Sequence, residues 1–323
     1  MSGAQHTRVA IIGARGIGRH HANWWRLEGA EVCAFAGTSP ESVANTRTML
    51  RETFGIDARG YADVSNMLET ERPDIVDVCS PPDRHYGHVR AALDAGSHVL
   101  CEKPFVYESG VPRERLLAQA YDLLQQSERL GRQLGVCTQY SAGAPLLLDL
   151  YRERHDDAVM RRYCGHLESP AKGRSPDPVR VWVDLAPHPI SVLQTLVPEL
   201  EVDWGSVRTE FSGYSAIARF DACGRDGRVE CEIITRNAVE PPLNVRRFGI
   251  NDSFFQIEGG KDAEGAYCAR VTASDGDCRQ HPDFMRLLIR GFLAGRPVAD
   301  ARTGVANLDL LLRFIENSSR NKA

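Results

Sequence analysis

The pattern of apolar and polar positions changes character near residue 140. Before that point, short apolar runs alternate with stretches of helical periodicity, and short turns separate them. The apolar runs predict strands at 8–12, 31–37, 73–79, 97–101 and 133–138, and the periodic stretches predict helices at 20–27, 63–71, 85–96 and 115–130. Strands that alternate with helices in this way are typical of a doubly wound, Rossmann-type parallel sheet.

The second half of the chain has a different pattern. It predicts helices at 143–154, 190–196, 281–293 and 303–318, strands at 207–211, 215–220, 229–235 and 254–258, and a polar loop at 156–178 around one short strand at 162–167. Such strands favour an open, mostly antiparallel sheet with one face packed on helices. We therefore predict an α/β protein with two domains. Residues 1–138 form the Rossmann domain, and residues 139–323 form an α+β domain whose C-terminal helices can pack back on the first domain.

Composition narrows the class of partner. A chain of 323 residues suits two domains, and a net charge of −4 without a basic block argues against nucleic acid or an anionic membrane as partner. No apolar run is long enough to span a bilayer, and residues 1–7 lack the apolar core of a signal peptide. Nine cysteines without a Cys-x-x-Cys pair indicate reduced thiols. We therefore expect a cytoplasmic protein whose partner is neither nucleic acid nor a membrane.

A glycine-rich turn directly follows the first predicted strand and precedes the first helix. Its sequence runs from Gly13 through Arg15, Gly16 and Ile17 to Gly18. Backbone N–H groups of such a turn, together with the positive end of the helix, form a cradle for a pyrophosphate. Arg15 occupies the position of the usual second glycine, and its guanidinium can contact phosphate or adenine. We predict that these five residues bind the dinucleotide.

The end of the second strand bears on the choice between NAD and NADP. An acidic residue there would bind the ribose 2′-hydroxyl of NAD, but the chain has Thr38 and Ser39. Small hydroxyls leave room for a 2′-phosphate, with Arg15 or Arg47 as counter-charge, so NADP or NAD is predicted and NADP is favoured. The alternative interpretation is a plain turn that caps the next helix.

Four further polar residues follow apolar segments. Glu102 and Lys103 end the strand at 97–101 just before a proline, at the sheet edge where ligands bind in parallel sheets. Asp184 and His188 lie four residues apart where an apolar segment enters a helix. Taken alone, these groups are equally consistent with a surface ion pair, a helix-start aspartate and a packed histidine. His88 is predicted to be a solvated helix residue, and no metal site is predicted.

Two motifs in fixed order give these residues a context. They are Ser80-Pro81-Pro82-Asp83-x-His85 and Ala95-Gly96-x-His98-Val99-Leu100-x-Glu102-Lys103-Pro104. With them the chain resembles the Gfo/Idh/MocA family, the group of glucose–fructose oxidoreductase and inositol dehydrogenase. The resemblance adds Ser80, Pro81, His85, Glu102 and Lys103 to the predicted cofactor-binding residues.

The resemblance also implies a mechanism. The family pattern Asp-x-Gly-x-His-x-x-Asp is matched by Asp184 and His188, while Ala186 replaces the glycine and Ser191 the last aspartate. It implies His188 as acid/base, Asp184 as its orienting partner, and Lys103 as the group that stabilises the substrate oxygen.

The function implied is an NAD(P)-dependent dehydrogenase or reductase of a sugar, inositol or related small molecule. The protein is expected to form a homodimer or homotetramer through the outer face of the second sheet. Two alternatives stay open, a cofactor-retaining epimerase or lyase of the same family and a non-catalytic regulator that senses dinucleotide.

Overall fold

The computed structural model describes residues 6–156 and 159–320. The chain divides into two compact units. Unit 1 comprises Met1–Cys137 and Leu288–Val305, and unit 2 comprises Thr138–Leu287 and Ala306–Ala323. The predictions for residues 1–5, 157–158 and 321–323 lie outside the described part of the chain. Within that part, no helix has both the length and the apolar composition needed to cross a bilayer.

Unit 1 is built on a six-stranded parallel sheet with the order β3-β2-β1-β4-β5-β6. Its strands are β1 (Arg8–Ile12), β2 (Glu31–Ala36), β3 (Arg59–Tyr61), β4 (Ile75–Val78), β5 (His98–Glu102) and β6 (Leu134–Cys137). Its helices are α1 (Gly18–Leu27), α2 (Pro40–Phe54), α3 (Val64–Glu71), α4 (Pro82–Asp94) and α5 (Arg113–Arg129). The central strands are buried, as expected for a parallel sheet covered on both faces. The predicted doubly wound sheet is confirmed, and its order reverses between β1 and β4.

The edge strand β6 is covered by a late segment of the chain. The backbone N–H of Val136 donates to the carbonyl of Ala299 at 2.9 Å, and Gly135 forms an antiparallel bridge with Asp300. Phe292 packs edge-on against Trp25, with ring centroids 6.1 Å apart. The segment 288–305 therefore satisfies backbone groups that an edge strand would otherwise expose.

Unit 2 contains an eight-stranded sheet with the order β14-β13-β12-β11-β7-β10-β9-β8. The strands are β7 (Arg162–Pro170), β8 (Glu201–Ser212), β9 (Ser215–Gly224), β10 (Gly227–Ala238), β11 (Val245–Ile250), β12 (Ser253–Lys261), β13 (Tyr267–Ala273) and β14 (Cys278–Pro282). All neighbours pair antiparallel except β7 with β10. The helices are α6 (Gln139–Arg152), α7 (Pro178–Leu185), α8 (Pro187–Leu196), α9 (Phe284–Leu293) and α10 (Ala301–Arg320), of which α9 and α10 contribute residues to both units. The mostly antiparallel second sheet is confirmed.

The inner face of this sheet packs on helices around Trp182. This side chain is fully buried, and its indole Nε1 donates to the carbonyl of Leu311 at 3.2 Å. Its ring lies 5.2 Å from Phe211 and 5.5 Å from Phe314 between centroids. A strand, α7 and α10 are thus joined in one aromatic core.

The structure corrects several predicted elements. The strands β11, β13 and β14 and the helix α7 were not predicted, β7 is longer than the predicted 162–167, and 281–282 extend β14 instead of beginning a helix. Most of the polar edge strand β14 is exposed, so it carries no apolar alternation to recognise. The burial of β11 does not alternate, because Arg246 and Arg247 follow each other and the next three residues are all buried.

Candidate active site

The glycine turn of unit 1 is closely packed against the end of β4. Gly13 has φ +91°, and a Cβ there would lie 2.8 Å from the carbonyl oxygen of Cys79. A Cβ on Gly18 would lie 2.2 Å from the carbonyl oxygen of Gly13. Gly16 has φ +57° but open space around it, and its neighbour Arg15 is exposed. Side chains are therefore excluded at the two ends of the turn, where the backbone N–H groups of Gly13 and Gly18 donate to the carbonyls of Ala36 and Arg15. The N–H groups between these two ends are the ones that can face a ligand.

A cleft of about 1070 Å³ opens beside this turn at the carboxyl ends of the strands. Of the predicted cofactor-binding residues, it is lined by Gly13, Arg15, Gly16, Ile17, Thr38, Ser80 and Pro81. It is also lined by polar residues that the sequence analysis missed, namely Ser42, Thr46, Asp63, Arg84 and His88. Ser42 and Thr46 lie on α2, Asp63 directly precedes α3, and Arg84 and His88 lie on α4. Arg84 falls inside the Ser80–His85 motif, whereas no motif relates α2 or the start of α3 to the glycine turn. The volume of the cleft is sufficient for a dinucleotide, and the glycine turn beside it is suited to hold the pyrophosphate.

Two of the residues proposed around the 2′-position have other partners. The Ser39 hydroxyl accepts the backbone N–H of Ser42 at 3.2 Å and caps α2. Arg47 forms an ion pair with Asp57 at 3.1 Å on an exposed surface. Arg15 remains, with Arg84, among the cations that line the cleft.

His88 is not the solvated residue that was predicted. It is half-buried, its Nδ1 lies 2.9 Å from the Ser80 hydroxyl, and it lines the cleft. Burial lowers the pKa of His88. The prediction failed because the loop after β4 folds back over the first turns of α4.

His85 links two predicted cofactor-binding segments. Its Nδ1 lies 2.9 Å from the carbonyl oxygen of Pro104, and its Nε2 lies 2.8 Å from that of Ser80. The side chain is fully buried, and burial lowers its pKa. His85 therefore contacts both the loop after β4 and the turn after β5, and its neutral imidazole donates to one of the two carbonyls.

His21, on α1, lies between two carboxylates beneath the turn. Its Nδ1 is 2.8 Å from Oδ2 of Asp77, and its Nε2 is 3.2 Å from Oε1 of Glu102. The indole Nε1 of Trp25 donates to the same Asp77 oxygen at 2.6 Å. His21 and Asp77 are fully buried, and the Glu102 side chain is 13% exposed. Glu102 was predicted from the sequence, whereas His21 and Asp77 were not.

The charges in this cluster support each other. Burial alone would raise the pKa of Glu102, but the hydrogen bond and charge of His21, together with Lys103, lower it to about 2. Burial also opposes a charged His21, yet Cys79 and Asp77 raise its pKa well above the ordinary value. Because burial raises the pKa of the Cys79 thiol as well, the carboxylates supply the negative charge. His21 is therefore an imidazolium held between two carboxylates.

The same cluster contains atoms of the types that bind metals. One potential ligand set is His21, Glu102 and Cys137, and the other is His21, Asp77 and Cys79. Within each set, the potential ligand atoms all lie within 4.8 Å of one another. A metal needs a neutral imidazole and a thiolate, whereas burial raises the pKa of both cysteines. We interpret the cluster as an ion-paired network.

Lys103 follows directly after β5, in the turn that His85 holds. Its backbone N–H donates to Oε2 of Glu102 at 3.2 Å, and the Lys103–Pro104 peptide bond is cis. Both oxygens of the Glu102 carboxylate are thus engaged, one by His21 and one by the Lys103 backbone. The glutamate therefore connects the buried network to the residue that carries the lysine.

Unit 2 holds the other predicted pair. Asp184 lies in the last turn of α7 and is half-buried; His188 lies in the first turn of α8 and is 9% exposed. Ala186, at the junction of the two helices, is fully buried. The Tyr140 ring contacts the His188 ring edge-on, with centroids 5.1 Å apart. Asp184 thus ends one helix and does not begin one.

Ser191, which replaces the family's last aspartate, has a structural contact. Its buried hydroxyl lies 2.8 Å from that of Thr138, which also lies 3.2 Å from the hydroxyl of Ser141. These three hydroxyls join the start of α6 to α8.

The fold and the glycine cradle define a Rossmann-type dinucleotide-binding protein. Residues 7–137 match the family described as "Oxidoreductase family, NAD-binding Rossmann fold", the Gfo/Idh/MocA family. The match covers the Rossmann segment of the chain and agrees with the resemblance carried by its motifs.

Curated relatives match parts of the chain. Identity is 40% over 102 residues with D-glucoside 3-dehydrogenase of Escherichia coli, covering 30% of this chain and 27% of that protein. It is 29% over 159 residues with D-apiose dehydrogenase of Paraburkholderia graminis, covering 49% and 39%. It is 27% over 206 residues with inositol 2-dehydrogenase of Pseudomonas savastanoi, covering 63% and 57%. The aligned segments span less than two thirds of these relatives' own lengths.

Solved structures share the fold over nearly the whole chain. UDP-N-acetylglucosamine 3-dehydrogenase from Acidithiobacillus ferrooxidans has a TM-score of 0.67 at 20% identity, with 96% of this chain and 97% of that one covered. An inositol dehydrogenase homologue from Azotobacter vinelandii, in complex with NADH and myo-inositol, has a TM-score of 0.69 at 18% identity, with 98% and 96% covered. At these identities the likeness concerns the fold.

Proposed function

We propose that the protein is an NAD(P)-dependent oxidoreductase that transfers a hydride between nicotinamide and an alcohol or ketone carbon of a sugar, inositol or related polyhydroxylated molecule. The observation that carries this proposal is the glycine cradle beside a dinucleotide-sized cleft, with Glu102 and Lys103 held at the same sheet edge. The relatives named as dehydrogenases of sugars and inositol support it.

The residues present fit a dinucleotide. Backbone N–H groups of the turn from Gly13 to Gly18 would hold its pyrophosphate, and Ser80 and Pro81 would contact it along the cleft. When bound, the nicotinamide accepts a hydride from the substrate carbon or returns one. We further propose a preference for NADP, because Thr38 stands where an acid would select NAD and Arg15 lines the same cleft.

The protein's own part is to hold the substrate oxygen and move one proton. His188 would take the proton from an alcohol or return it to a ketone oxygen, with Asp184 orienting the imidazole. Lys103 would donate to the same oxygen and stabilise its developing negative charge. Glu102, kept ionised by His21, would fix the backbone that carries Lys103.

We also propose that the two parts of the chain have different functions. Residues 1–138 would bind the dinucleotide, and residues 139–323 would bind substrate and mediate self-association as a homodimer or homotetramer. Light scattering at micromolar concentration tests the proposed self-association, and a monomer would contradict it.

Fluorescence titration with the four nicotinamide dinucleotides tests the cofactor. NADPH should bind at least several-fold more tightly than NADH; equal or reversed affinities contradict the NADP preference. Arg15→Ala should weaken NADPH binding by about 1.5–3 kcal/mol if its guanidinium meets the phosphate. The exposed Arg51→Ala, on α2, is a matched control that should change nothing.

Turnover of a panel of sugars, inositols and their ketones tests the chemistry. His188→Ala should lower kcat about 10²–10⁴-fold, the usual scale for a lost acid or base, with dinucleotide affinity unchanged. Lys103→Met should also lower kcat and flatten the pH–rate profile, whereas the exposed Lys261→Met should not. Near-wild-type rates in both active-site variants would refute the assigned roles. Dinucleotide binding without turnover of any substrate would favour the regulator.

A further inference from the structure

Arg246 occupies an unusual position on the inner face of the second sheet. In the register of β11 with β7 it lies opposite Leu167, which is fully buried. Two residues further along β11, on the same face, Phe248 is fully buried and lies opposite Phe255 of β12. A cation in this row of apolar positions loses much of its hydration, which costs free energy unless an anion or a set of acceptors replaces the water.

The protein provides hydrogen-bond acceptors for only some of the N–H groups of the Arg246 guanidinium. Its Nε donates to the Tyr140 hydroxyl at 2.9 Å, and its Nη1 donates to the carbonyls of Glu168 and Val245. Over residues 6–156 and 159–320, no carboxylate forms an ion pair with Arg246, and Nη2 makes no hydrogen bond. The nearby Glu168 carboxylate is engaged by His166 at 2.7 Å and by Arg236 at 3.4 Å.

Arg246 and Tyr140 line a cleft of about 390 Å³ within unit 2. Two acidic residues also line it. Glu258 lies on β12 two positions after Gln256, which pairs with the exposed Arg247, so it belongs to the outer face of the sheet. Burial raises the pKa of Asp283, and its Oδ1 accepts the backbone N–H of Met285 at 2.8 Å. Among the described residues, neither of these carboxylates forms an ion pair with Arg246.

The cleft lies next to the proposed acid/base. The Tyr140 ring contacts His188 on one side while its hydroxyl holds Arg246. The start of α8 is fixed on the same face of the sheet, because the Tyr163 hydroxyl donates to the Pro189 carbonyl at 2.7 Å. A substrate whose reacting oxygen contacts His188 therefore lies near the Arg246 guanidinium, because Tyr140 contacts both side chains.

We propose that Arg246 and Tyr140 form an oxyanion subsite, and that the substrate is a polyhydroxylated molecule carrying a carboxylate or phosphate. The guanidinium offers a planar pair of donors for such a group, and the Tyr140 hydroxyl fixes its orientation. This inference rests on the proposed function, since it assigns the substrate class of the same site.

The test compares neutral and anionic substrates of one skeleton, with glucose, glucuronate and glucose 6-phosphate as the first set and inositol and its phosphate as the second. The wild type should have the higher kcat/KM with an anionic member, and whether this is the acid or the phosphate ester identifies the group. Arg246→Met should lower that kcat/KM about 10- to 100-fold more than the value for the neutral member, mainly through KM. Arg246→Lys should recover part of the loss, and Tyr140→Phe should show a smaller loss of the same kind.

Arg247→Met is the matched control, because this exposed arginine is the next residue of the same strand and faces the other way. It should preserve the preference for the anionic substrate. The kcat/KM for the neutral member, measured in every variant, reports that unit 2 is folded. Preference for the neutral member in the wild type, or equal losses on both members in Arg246→Met, overturns the inference while leaving the oxidoreductase proposal intact.

If no substrate is turned over, the result counts against the proposed function. The oxyanion subsite is then tested by measuring binding alone. Calorimetric titration with glucuronate and with glucose 6-phosphate should then show binding to the wild type that Arg246→Met loses and Arg247→Met keeps. No binding to the wild type, or equal binding to all three proteins, overturns the subsite as well.

Discussion

Replacing His21 with leucine should destabilise unit 1 strongly. The substitution removes the cation between Asp77 and Glu102 and leaves two buried carboxylates facing an apolar side chain. In the folded protein the pKa of Glu102 falls from 4.5 to about 2, and each pKa unit corresponds to about 1.4 kcal/mol. The ionised carboxylate is therefore stabilised by roughly 3 kcal/mol. Loss of one partner of a buried ion pair costs about 3–5 kcal/mol, which agrees with this figure.

The pH dependence of stability gives a second and independent check. The pKa of Glu102 is lowered on folding, so its contribution is present above 4.5 and is lost as the pH falls towards 2. The pKa of His21 is raised, so its contribution is complete below 6.5 and is lost as the pH rises through the folded-state value. In His21→Leu, burial should instead raise the pKa of Glu102. The difference in free energy of unfolding between wild type and variant should therefore become smaller as the pH falls below about 4.5.

Urea unfolding followed by tryptophan fluorescence measures these differences, since Trp25 lies within the network. The double variant His21→Leu/Glu102→Gln completes a thermodynamic cycle, in which the coupling energy should exceed about 1 kcal/mol. It also serves as the control, because removing the second charge should recover part of the lost stability. A loss below about 1 kcal/mol in His21→Leu, or a loss that is independent of pH between 3 and 7, would refute the reasoning.

Three further predictions concern packing. Gly13→Ala should abolish dinucleotide binding, since its Cβ would lie 2.8 Å from the Cys79 carbonyl, whereas Gly16→Ala has open space and should bind with modestly reduced affinity; titration of both variants distinguishes backbone crowding from general strain. Ser39→Ala should cost about 0.5–2 kcal/mol through loss of the α2 cap, measured by urea unfolding, and an unchanged midpoint would contradict the cap. Trp182→Ala should cost about 3–5 kcal/mol in unit 2 by the same measurement, and a smaller loss would show that the aromatic core can close around the cavity.

The short, partly exposed edge strand β3 of the first sheet was not predicted. The other five strands could be predicted because they are largely buried. Such strands appear in the sequence as apolar runs, and the turns between them are short. The second sheet was harder to predict, because β11 carries consecutive arginines and β14 is polar and exposed. An edge strand needs no apolar face to be part of a sheet, so periodicity cannot find it.

The same contrast holds for the candidate site. The glycine turn and Glu102-Lys103 stand in contiguous motifs and could be found by reading along the chain. His21 and Asp77 are 56 residues apart and meet only because β4 is the spatial neighbour of β1. Arg246 and Tyr140, 106 residues apart, likewise meet through a packing arrangement that no local pattern encodes.

The late segment that covers β6 has a consequence for biosynthesis. Unit 1 needs residues 288–305 to close its sheet edge, and the chain reaches them only after unit 2 has been almost entirely translated. A nascent chain of the first 137 residues therefore emerges from the ribosome with an unprotected parallel edge, which is a template for pairing with other chains. Three crossings of the chain, at 137–138, 287–288 and 305–306, connect the two units. Neither unit can be released by a single proteolytic cut, so limited proteolysis should leave the fragments associated until they are denatured.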